Sequence, residues 1–399
     1  MKNQALATLI CSAIALDFPL LASKKFVDCG KGQSLNAAVQ NLDPGDTLTF
    51  AGVCRENVLV LVSGITLAGQ GTAVISSPTP SNDALAINGV QRVGLQNFTV
   101  QNGNFGIHAL GGAGIVMQNI VAQQNAQTGI LVEGSSSAYI SNTTTQNNGL
   151  HGIDTENTSS LIFSGNFLSQ QNGVFGINVA ATSSATLNAG TATAQQNALG
   201  IQVSITSSFF LGSPAATLKA LNNFSVGLTM VSGAHLFSFG GTIVTSGNGL
   251  DGIDIASRAG MDLDAASQTA SFNNMRDGLH VEELSMVNLF NNPQFSGAQG
   301  YTTIQLYNNT VNGISLLNNS QVHMFDQARI QAYGNTGEGI QVDDGSSMTL
   351  INSTIQRNAT DVGLTFGSRG EFTNNQIGTL TCDASSLIRG DTGKSCPTH

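Results

Sequence analysis

The chain has 399 residues, of which 41% are hydrophobic, 10% are charged and 46 are glycine, and its net charge is −10. A disordered acidic chain would contain fewer apolar residues, and a helical bundle would contain more helix formers and less glycine, so this composition excludes both classes. The sequence pI of about 4.8 argues against a nucleic-acid partner, because a protein that binds nucleic acid presents a basic face.

Residues 1–23 are predicted to be a secretory signal peptide. Lys2 precedes an apolar run from Ala5 to Leu16, and small residues follow it at the expected cleavage site. Asp17 and Pro19 interrupt the run, which makes it too short to span a membrane. The alternative is a buried first strand. We expect a secreted protein, extracellular or periplasmic, with no membrane span.

Removing this leader leaves four cysteines, one pair near each end of the chain: Cys29 and Cys54, then Cys382 and Cys396. An even number of cysteines in a secreted chain indicates disulfides. Of the three possible pairings, proximity favours Cys29–Cys54 and Cys382–Cys396. A zinc site is the weaker alternative, because no Cys-x-x-Cys motif or histidine cluster accompanies them.

Residues 24–82 are interpreted as an N-terminal cap followed by the first coils of a solenoid. Apolar residues recur at helical spacing between 35 and 42 after Ser34, a good N-cap residue, which predicts a short capping helix. The turn sequence Asp-Pro-Gly-Asp at 43–46 ends it. Thr47–Phe50 and Gly64–Leu67 are predicted to be the first strands.

A repeat occupies most of the remaining chain. The dipeptide Gly-Ile or Gly-Leu recurs eleven times between Gly106 and Leu364, at steps of 23 to 27 residues with one step of 35. An asparagine stands four residues before most of these glycines. The asparagines are Asn102, Asn125, Asn148, Asn172, Asn223, Asn248, Asn274, Asn309 and Asn335, and Asn197 is one residue out of step.

Each repeat unit predicts short strands and no helix. In the pattern Asn-x-x-x-Gly-Ile-x-Val, the Ile and Val alternate with an outward x residue, and a turn and a second alternating run follow. Eleven coils stacked at about 4.8 Å would form a rod of about 50 Å. The asparagines would stack into an internal amide ladder, and the glycine would supply either positive φ or room for a neighbouring backbone. The frames of leucine-rich and hexapeptide repeats are absent.

Over residues 26–380 this repeat closely resembles that of the right-handed parallel β-helix proteins of the pectate-lyase-like superfamily. The resemblance implies an all-β, single-stranded, right-handed solenoid over 83–378 with a C-terminal cap at 379–399. It also implies a polysaccharide or cell-surface glycan as the partner. Asp251-Gly-Ile-Asp254 looks like the Asp-bearing strand of the pectin-hydrolysing members. The adjacent Asp-Asp, Gly-His-Gly and Arg-Ile-Lys motifs of those enzymes are absent, as is the Asp-Pro-His signature of alginate epimerases, so no single activity is carried over.

Charge is distributed unevenly along the repeats. Five charged residues lie between Ala84 and Leu250, whereas eighteen lie between Asp251 and Glu371. The longest step in the repeat falls in the second region and indicates an insertion near 290–309, on the face where solenoids commonly bind. This insertion carries Phe290, Phe295, Tyr301 and Tyr307. These rings are suited to stacking on sugars, or alternatively to local loop packing.

The candidate catalytic residues are five side chains on two neighbouring coils. Asp254 is predicted to lie beside His280, with Glu282 next along the same strand. Asp254 and Glu282 are separated by one step between coils and by two residues along the strand, which together give a distance of about 8 Å. This lies within the separation of about 6.5–9.5 Å between the two carboxyl groups of an inverting glycosidase. Asp251 and Asp277 would lie about one rung apart, where they could bind a hard cation such as calcium or share a proton.

The candidate substrate-binding residues surround these five. Arg258 and Arg276 flank the carboxylates and could clamp a substrate carboxylate, and the groove extends to Asp343. The sequence therefore predicts a secreted β-helix protein that binds polysaccharide and cleaves it as a lyase or inverting hydrolase. The alternative is a non-catalytic structural or adhesive surface protein, whose carboxylates are merely a solvated face. A trimeric tail fibre would need an assembly segment that the sequence lacks.

Overall fold

The computed structural model describes residues 24–291, 300–325, 327–390 and 396. The chain folds as a parallel β-helix. Each strand pairs in parallel with the strands one coil before and one coil after it, as Ile130 does with Ile107 and Ile153. The predicted signal peptide and Phe295 lie outside the described residues.

Sheet 1 carries the Gly-Ile repeat, and the strands of its column are joined in chain order. The fourteen strands of sheet 1 are Val58–Val60, Leu85–Asn88, Ile107–Leu110, Ile130–Val132, Ile153–Thr155, Phe175–Val179, Leu199–Ser204, Leu228–Val231, Ile253–Ile255, Leu279–Val281, Ile314–Leu316, Glu338–Val342, Thr360–Leu364 and Leu380–Cys382. Eleven of them were predicted from the dipeptide. The first two and the last were missed, because their sequences lack the Gly-Ile marker.

The remaining 27 strands of the described residues form two further columns. The long strands Val93–Gln101, Gly114–Gln123 and Ser184–Gln195 belong to both columns and so connect them. Besides these, sheet 2 contains Lys24–Asp28, Thr47–Ala51, Thr66–Gly69, Ser137–Ser141, Ser160–Ser164, Ser208–Leu211, His235–Phe239, Gly260–Asp264, Met286–Leu289, Gln321–Met324, Ser347–Ile351, Arg369–Thr373 and Leu387–Gly390. Sheet 3 contains Val53–Cys54, Val74–Ser76, Thr143–Gln146, Phe167–Gln170, Ala216–Leu221, Thr242–Ser246, Gln268–Phe272, Thr302–Tyr307, Ala328–Tyr333, Thr354–Gln356 and Gln376–Ile377.

The core is the stacked interior of the coils, as the alternation predicts. Ile130 and Ile153 pair in register and are both 0% exposed. A single coil cannot bury such residues, but stacking produces one continuous apolar column. The outward x residues between them consequently line the outer face of sheet 1.

The predicted asparagine ladder forms inside the turn that leads into sheet 1. Asn248 Oδ1 accepts from the backbone N and the Nδ2 of Asn223 at 3.1 and 3.0 Å, and Asn248 Nδ2 donates to Asn274 Oδ1 at 3.0 Å. The ladder continues to Asn335 and Asn358, and it includes Asn197 despite its altered spacing. Asn102 does not belong to it. The Asn102 backbone is left-handed, with φ of 62°, and its side chain donates to Ser76.

The repeat glycines supply room and do not need positive φ. A Cβ on Gly252 would lie 1.9 Å from Ser271 Oγ and 2.6 Å from the Nδ2 of Asn274, the next asparagine of the ladder. Any larger residue would therefore force the ladder apart. This favours the second of the two roles that the sequence left open.

The predicted capping helix is present at the N-terminal end, whereas the strands Leu380–Cys382 and Leu387–Gly390 continue the coils at the other end. The capping helix spans Leu35–Val39, shorter than the apolar pattern, and Ser34 Oγ accepts from the backbone N of Ala37 at 3.0 Å. A 3-10 turn, Cys29–Lys31, precedes it. Both expected disulfides, Cys29–Cys54 and Cys382–Cys396, are formed. Disulfides persist in oxidising compartments, which is consistent with the predicted location. No helix in the described part of the chain is long and apolar enough to cross a membrane.

Candidate functional site

The candidate site lies on the outer face of sheet 1, where the strands Ile253–Ile255 and Leu279–Val281 run side by side. Asp254 pairs in register with His280, so the predicted lateral contact is present. We call the group of Asp251, Asp254, Arg276, Asp277, His280 and Glu282 the histidine cluster. All five predicted catalytic residues belong to it.

His280 stands at the centre of the histidine cluster and is only 7% exposed. Its Nδ1 lies 3.1 Å from Asp277 Oδ2, and its Nε2 lies 3.5 Å from Glu282 Oε2. Burial lowers the pKa of His280, but the hydrogen bond to Asp277 and the charge of Asp251 outweigh it, so the net pKa is raised. The imidazole is therefore stabilised as a cation between two carboxylates.

Asp251 and Asp277 form the buried floor of the cluster. Asp251 Oδ1 accepts from the backbone N of Asp277 at 3.0 Å and from Arg276 Nε at 2.7 Å, and the guanidinium also contacts its second oxygen. Asp277 Oδ1 accepts from the backbone N of Asn312 at 2.9 Å. Burial raises the pKa of Asp251, and the Arg276 guanidinium opposes this.

Two expectations for this region need correction. The guanidinium of Arg276 forms an ion pair with the buried Asp251 and so holds that carboxylate in place. The sequence suggested instead that Arg276 binds the substrate. Asp254 and Glu282 approach with side-chain oxygens within 4.8 Å, not about 8 Å. Both carboxylates converge on His280, which an estimate from backbone spacing does not capture. This separation is shorter than the about 6.5–9.5 Å of an inverting enzyme and nearer to the about 5–5.5 Å of a retaining one.

Asp254 and Glu282 have different surroundings. Thr229 Oγ1 donates to Asp254 Oδ2 at 3.4 Å, while Asp254 Oδ1 is buried with no hydrogen-bond partner within the described chain. Burial raises the pKa of Asp254 to about 6, with His280 opposing and Asp251 and Glu282 adding repulsion. The Glu282 side chain is 33% exposed. One carboxyl is therefore sheltered and the other faces solvent.

The remaining predicted binding residues lie outside the histidine cluster. Arg258 is exposed in the turn after Ile253–Ile255, and its backbone N donates to the carbonyl of Glu283. Its guanidinium forms no ion pair with a described residue. Asp343 follows the strand Glu338–Val342, two coils beyond Glu282. Neither residue contacts the carboxylates that the sequence grouped with it.

The aromatic residues of the insertion pack against neighbouring side chains instead of facing the site. Tyr307 is stacked between Phe272 and Tyr333 on sheet 3, with ring centroids 4.7 and 5.2 Å away, so both of its faces are covered. The guanidinium of Arg329 lies 4.9 Å from the ring centroid of Tyr301. These contacts contradict the suggestion that Tyr307 stacks on sugar, and they favour local packing for Tyr301. Phe290 likewise stacks on Phe325 at 4.7 Å.

The donor groups of the histidine cluster do not fit calcium. Asp251, Asp277 and His280 form one group with atoms within 4.8 Å, and Asp254, His280 and Glu282 form another. Calcium prefers six to eight oxygen ligands, whereas each group includes an imidazole nitrogen. The Arg276 guanidinium already neutralises Asp251. We therefore assign no step to a metal ion.

The sequence reasoning missed a second cluster on the same face, whose last residues lie four coils before Asp254. His108 Nδ1 lies 2.7 Å from Asp83 Oδ2, and its Nε2 lies 2.9 Å from Glu133 Oε1. Asp154 and Glu156 lie on the coil after Glu133. Burial raises the pKa of Asp154 to about 7, and the charges of Glu156 and Glu133 add to this. We call Asp83, His108, Glu133, Asp154 and Glu156 the N-terminal carboxylate cluster.

A signal for the N-terminal carboxylate cluster was present in the sequence. Three of the five charged residues between 84 and 250 are Glu133, Asp154 and Glu156. The heptapeptide Asn-Gly-Leu-x-Gly-Ile-Asp also occurs twice, at 148–154 and at 248–254.

Comparison with known proteins agrees with the observed architecture. Residues 49–209 match the model of the family described as "Right handed beta helix region". The chain is a right-handed parallel β-helix. The pectate-lyase-like resemblance is thereby confirmed in its fold and winding. No curated protein matches the chain in sequence.

Several solved structures resemble this β-helix over most of its length. The A-module of mannuronan C-5 epimerase AlgE4 from Azotobacter vinelandii is 12% identical, covering 94% of this chain and 100% of its own, with a TM-score of 0.45. Pectate lyase Pel9A is 17% identical over 95% and 82%, with a TM-score of 0.26. PfbA, a surface adhesin of Streptococcus pneumoniae, is 9% identical over 92% and 93%, with a TM-score of 0.31. Such values give no basis for transferring an activity.

Proposed function

We propose that this β-helix is an extracellular or periplasmic protein that binds a glycan along the outer face of sheet 1 and hydrolyses it at the histidine cluster. The observation that carries the proposal is the pair Asp254 and Glu282. Their oxygens lie within 4.8 Å of one another, and burial raises the pKa of Asp254 to about 6. Two carboxyl groups in contrasting environments are typical of the acid and the nucleophile of a glycosidase.

The geometry supports distinct roles for these two groups. Asp254, protonated below about pH 6, donates its proton to the leaving glycosidic oxygen. Glu282 attacks the anomeric carbon and forms a glycosyl ester, because the two carboxyl groups are closer together than the about 6.5–9.5 Å of an inverting enzyme. Water then hydrolyses the ester, and its proton returns to Asp254. His280, held by Asp277, positions Glu282.

Lyase chemistry has less support from the side chains. A lyase that acts on a uronate must neutralise the substrate carboxylate, and Arg276 is already bound to Asp251. The four carboxylates of the cluster, opposed by Arg276 and His280, would repel a polyanion. The side chains therefore favour hydrolysis of a glycan without uronates over lyase chemistry.

The test is a screen of the purified protein against neutral, acidic and amino polysaccharides. We expect new reducing ends without unsaturated product. Asp254→Asn and Glu282→Gln should each lower turnover by about 100-fold or more, while Glu371→Gln, an exposed sheet 2 change of equal charge, should not. Full turnover in both site variants would refute the roles. Binding without any turnover would support the structural or adhesive alternative.

A further inference from the structure

We propose that the glycan carries free amino groups, and that the N-terminal carboxylate cluster is a second site on sheet 1 that binds them. This inference rests on the proposed function, because it assumes a glycan on that face, and it specifies the chemical class of that glycan.

The N-terminal carboxylate cluster has too few cations of its own. It contains four carboxylates and one histidine, His108, whose pKa the flanking carboxylates raise despite its burial. Burial lowers the pKa of the neighbouring His151 to about 4, so this ring stays neutral. Lys219 lies on a strand of sheet 3, on another side of the rod. An incoming cation would relieve the repulsion among these carboxylates.

A buried amide supplies an independent indication of a ligand. Asn178 is 7% exposed, and its Nδ2 donates to Asp154 Oδ1 at 2.8 Å. The Oδ1 of the same amide is buried and accepts no hydrogen bond from any described residue. Buried polar atoms are normally satisfied, so this acceptor beside the 8% exposed Asp154 indicates a missing donor. A primary ammonium offers three donors and the required charge.

The two clusters lie on one straight track. Asp154, Asn178, Gln202, Thr229 and Asp254 occupy the same register position on five successive coils. Four rungs separate the two aspartates, or about 19 Å. The three residues between them are polar and uncharged, and thus suited to sugar hydroxyls. A linear chain lying along sheet 1 would reach both clusters, and its ammonium groups would meet carboxylates at each end.

The experiment measures binding by calorimetry, using the Asp254→Asn/Glu282→Gln double variant so that turnover does not interfere. The ligands are a hexamer of β-1,4-linked glucosamine, its fully N-acetylated counterpart and a hexamer of galacturonate. We expect the amino hexamer to bind at least about tenfold more tightly than the other two, and its affinity to fall as salt is raised.

Added to this background, Glu133→Gln and Glu156→Gln should each weaken binding of the amino hexamer by about fivefold, the effect of one charge pair of about 1 kcal/mol. The matched control Glu371→Gln should leave it unchanged. The melting temperature of each variant shows whether it folds. If either Glu133→Gln or Glu156→Gln fails to fold, the other variant still tests the inference.

Equal affinity for the amino and N-acetylated hexamers, or tighter binding of galacturonate, would overturn the inference. Loss of affinity in Glu371→Gln equal to that in Glu156→Gln would also overturn it, because a general charge effect would then suffice. The two proposals fail separately. Binding of the amino hexamer without cleavage by the unmodified protein would refute hydrolysis alone, and cleavage of a neutral glycan without amine preference would refute this inference alone.

Discussion

The substitution Asp254→Asn should stabilise the protein while it abolishes turnover. Burial, with repulsion from Asp251 and Glu282, raises the pKa of this carboxyl from 3.8 to about 6. The folded state therefore holds the Asp254 proton more tightly than the unfolded chain does. Its favourable contribution is complete below about pH 4 and is lost as the pH rises through 6.

The magnitude follows from the size of this shift. A difference of about two pKa units corresponds to about 3 kcal/mol at a pH well above 6. Asparagine keeps the shape of the side chain and cannot ionise, so Asp254→Asn avoids that cost. We expect its free energy of unfolding to exceed that of the unmodified protein by up to about 3 kcal/mol at pH 8, and to equal it near pH 4.

Denaturant unfolding at several pH values measures this difference. The exposed change Glu371→Gln is the control, and its effect should not vary in the same way with pH. If Asp254→Asn were neutral or destabilising at pH 8, or if its effect were the same at pH 4 and pH 8, Asp254 would not be the raised-pKa acid that the proposed mechanism needs.

Three further outcomes are expected from the same measurements. Asp154→Asn should also stabilise the protein, and the gain should keep rising up to about pH 7, about one unit further than for Asp254→Asn, because burial raises the pKa of Asp154 to about 7; a gain that stops rising near pH 4 would contradict this. Asn248→Ala should lower the free energy of unfolding by about 3 kcal/mol, because it leaves two buried donors of the ladder without an acceptor. Asn119→Ala, at an exposed asparagine, should change the free energy of unfolding little. Replacing both Cys29 and Cys54 by serine should lower the free energy of unfolding by about 3 kcal/mol for a separation of 25 residues; an unchanged denaturation midpoint would show that the cap does not depend on this bond.

The sequence alone was sufficient to predict the coils and the residues that stack inside them. The period of about 24 residues fixes which residues stack, so Ile130 above Ile153 and the asparagine ladder could be predicted without coordinates. Coil stacking also fixed Asp254 beside His280, because lateral neighbours in a parallel sheet depend only on register. The terminal disulfides followed from the even number of cysteines and their proximity.

The tertiary structure decided where the side chains meet. Arg276 turns to the buried Asp251, and Asp254 and Glu282 converge on His280, so a spacing of about 8 Å expected from backbone geometry becomes one within 4.8 Å. The partnership of Asp83 with His108 was likewise hidden, because Asp83 precedes its strand and belongs to no repeat position. A repeat specifies backbone register, whereas the direction of a charged side chain depends on burial and on the partners available around it.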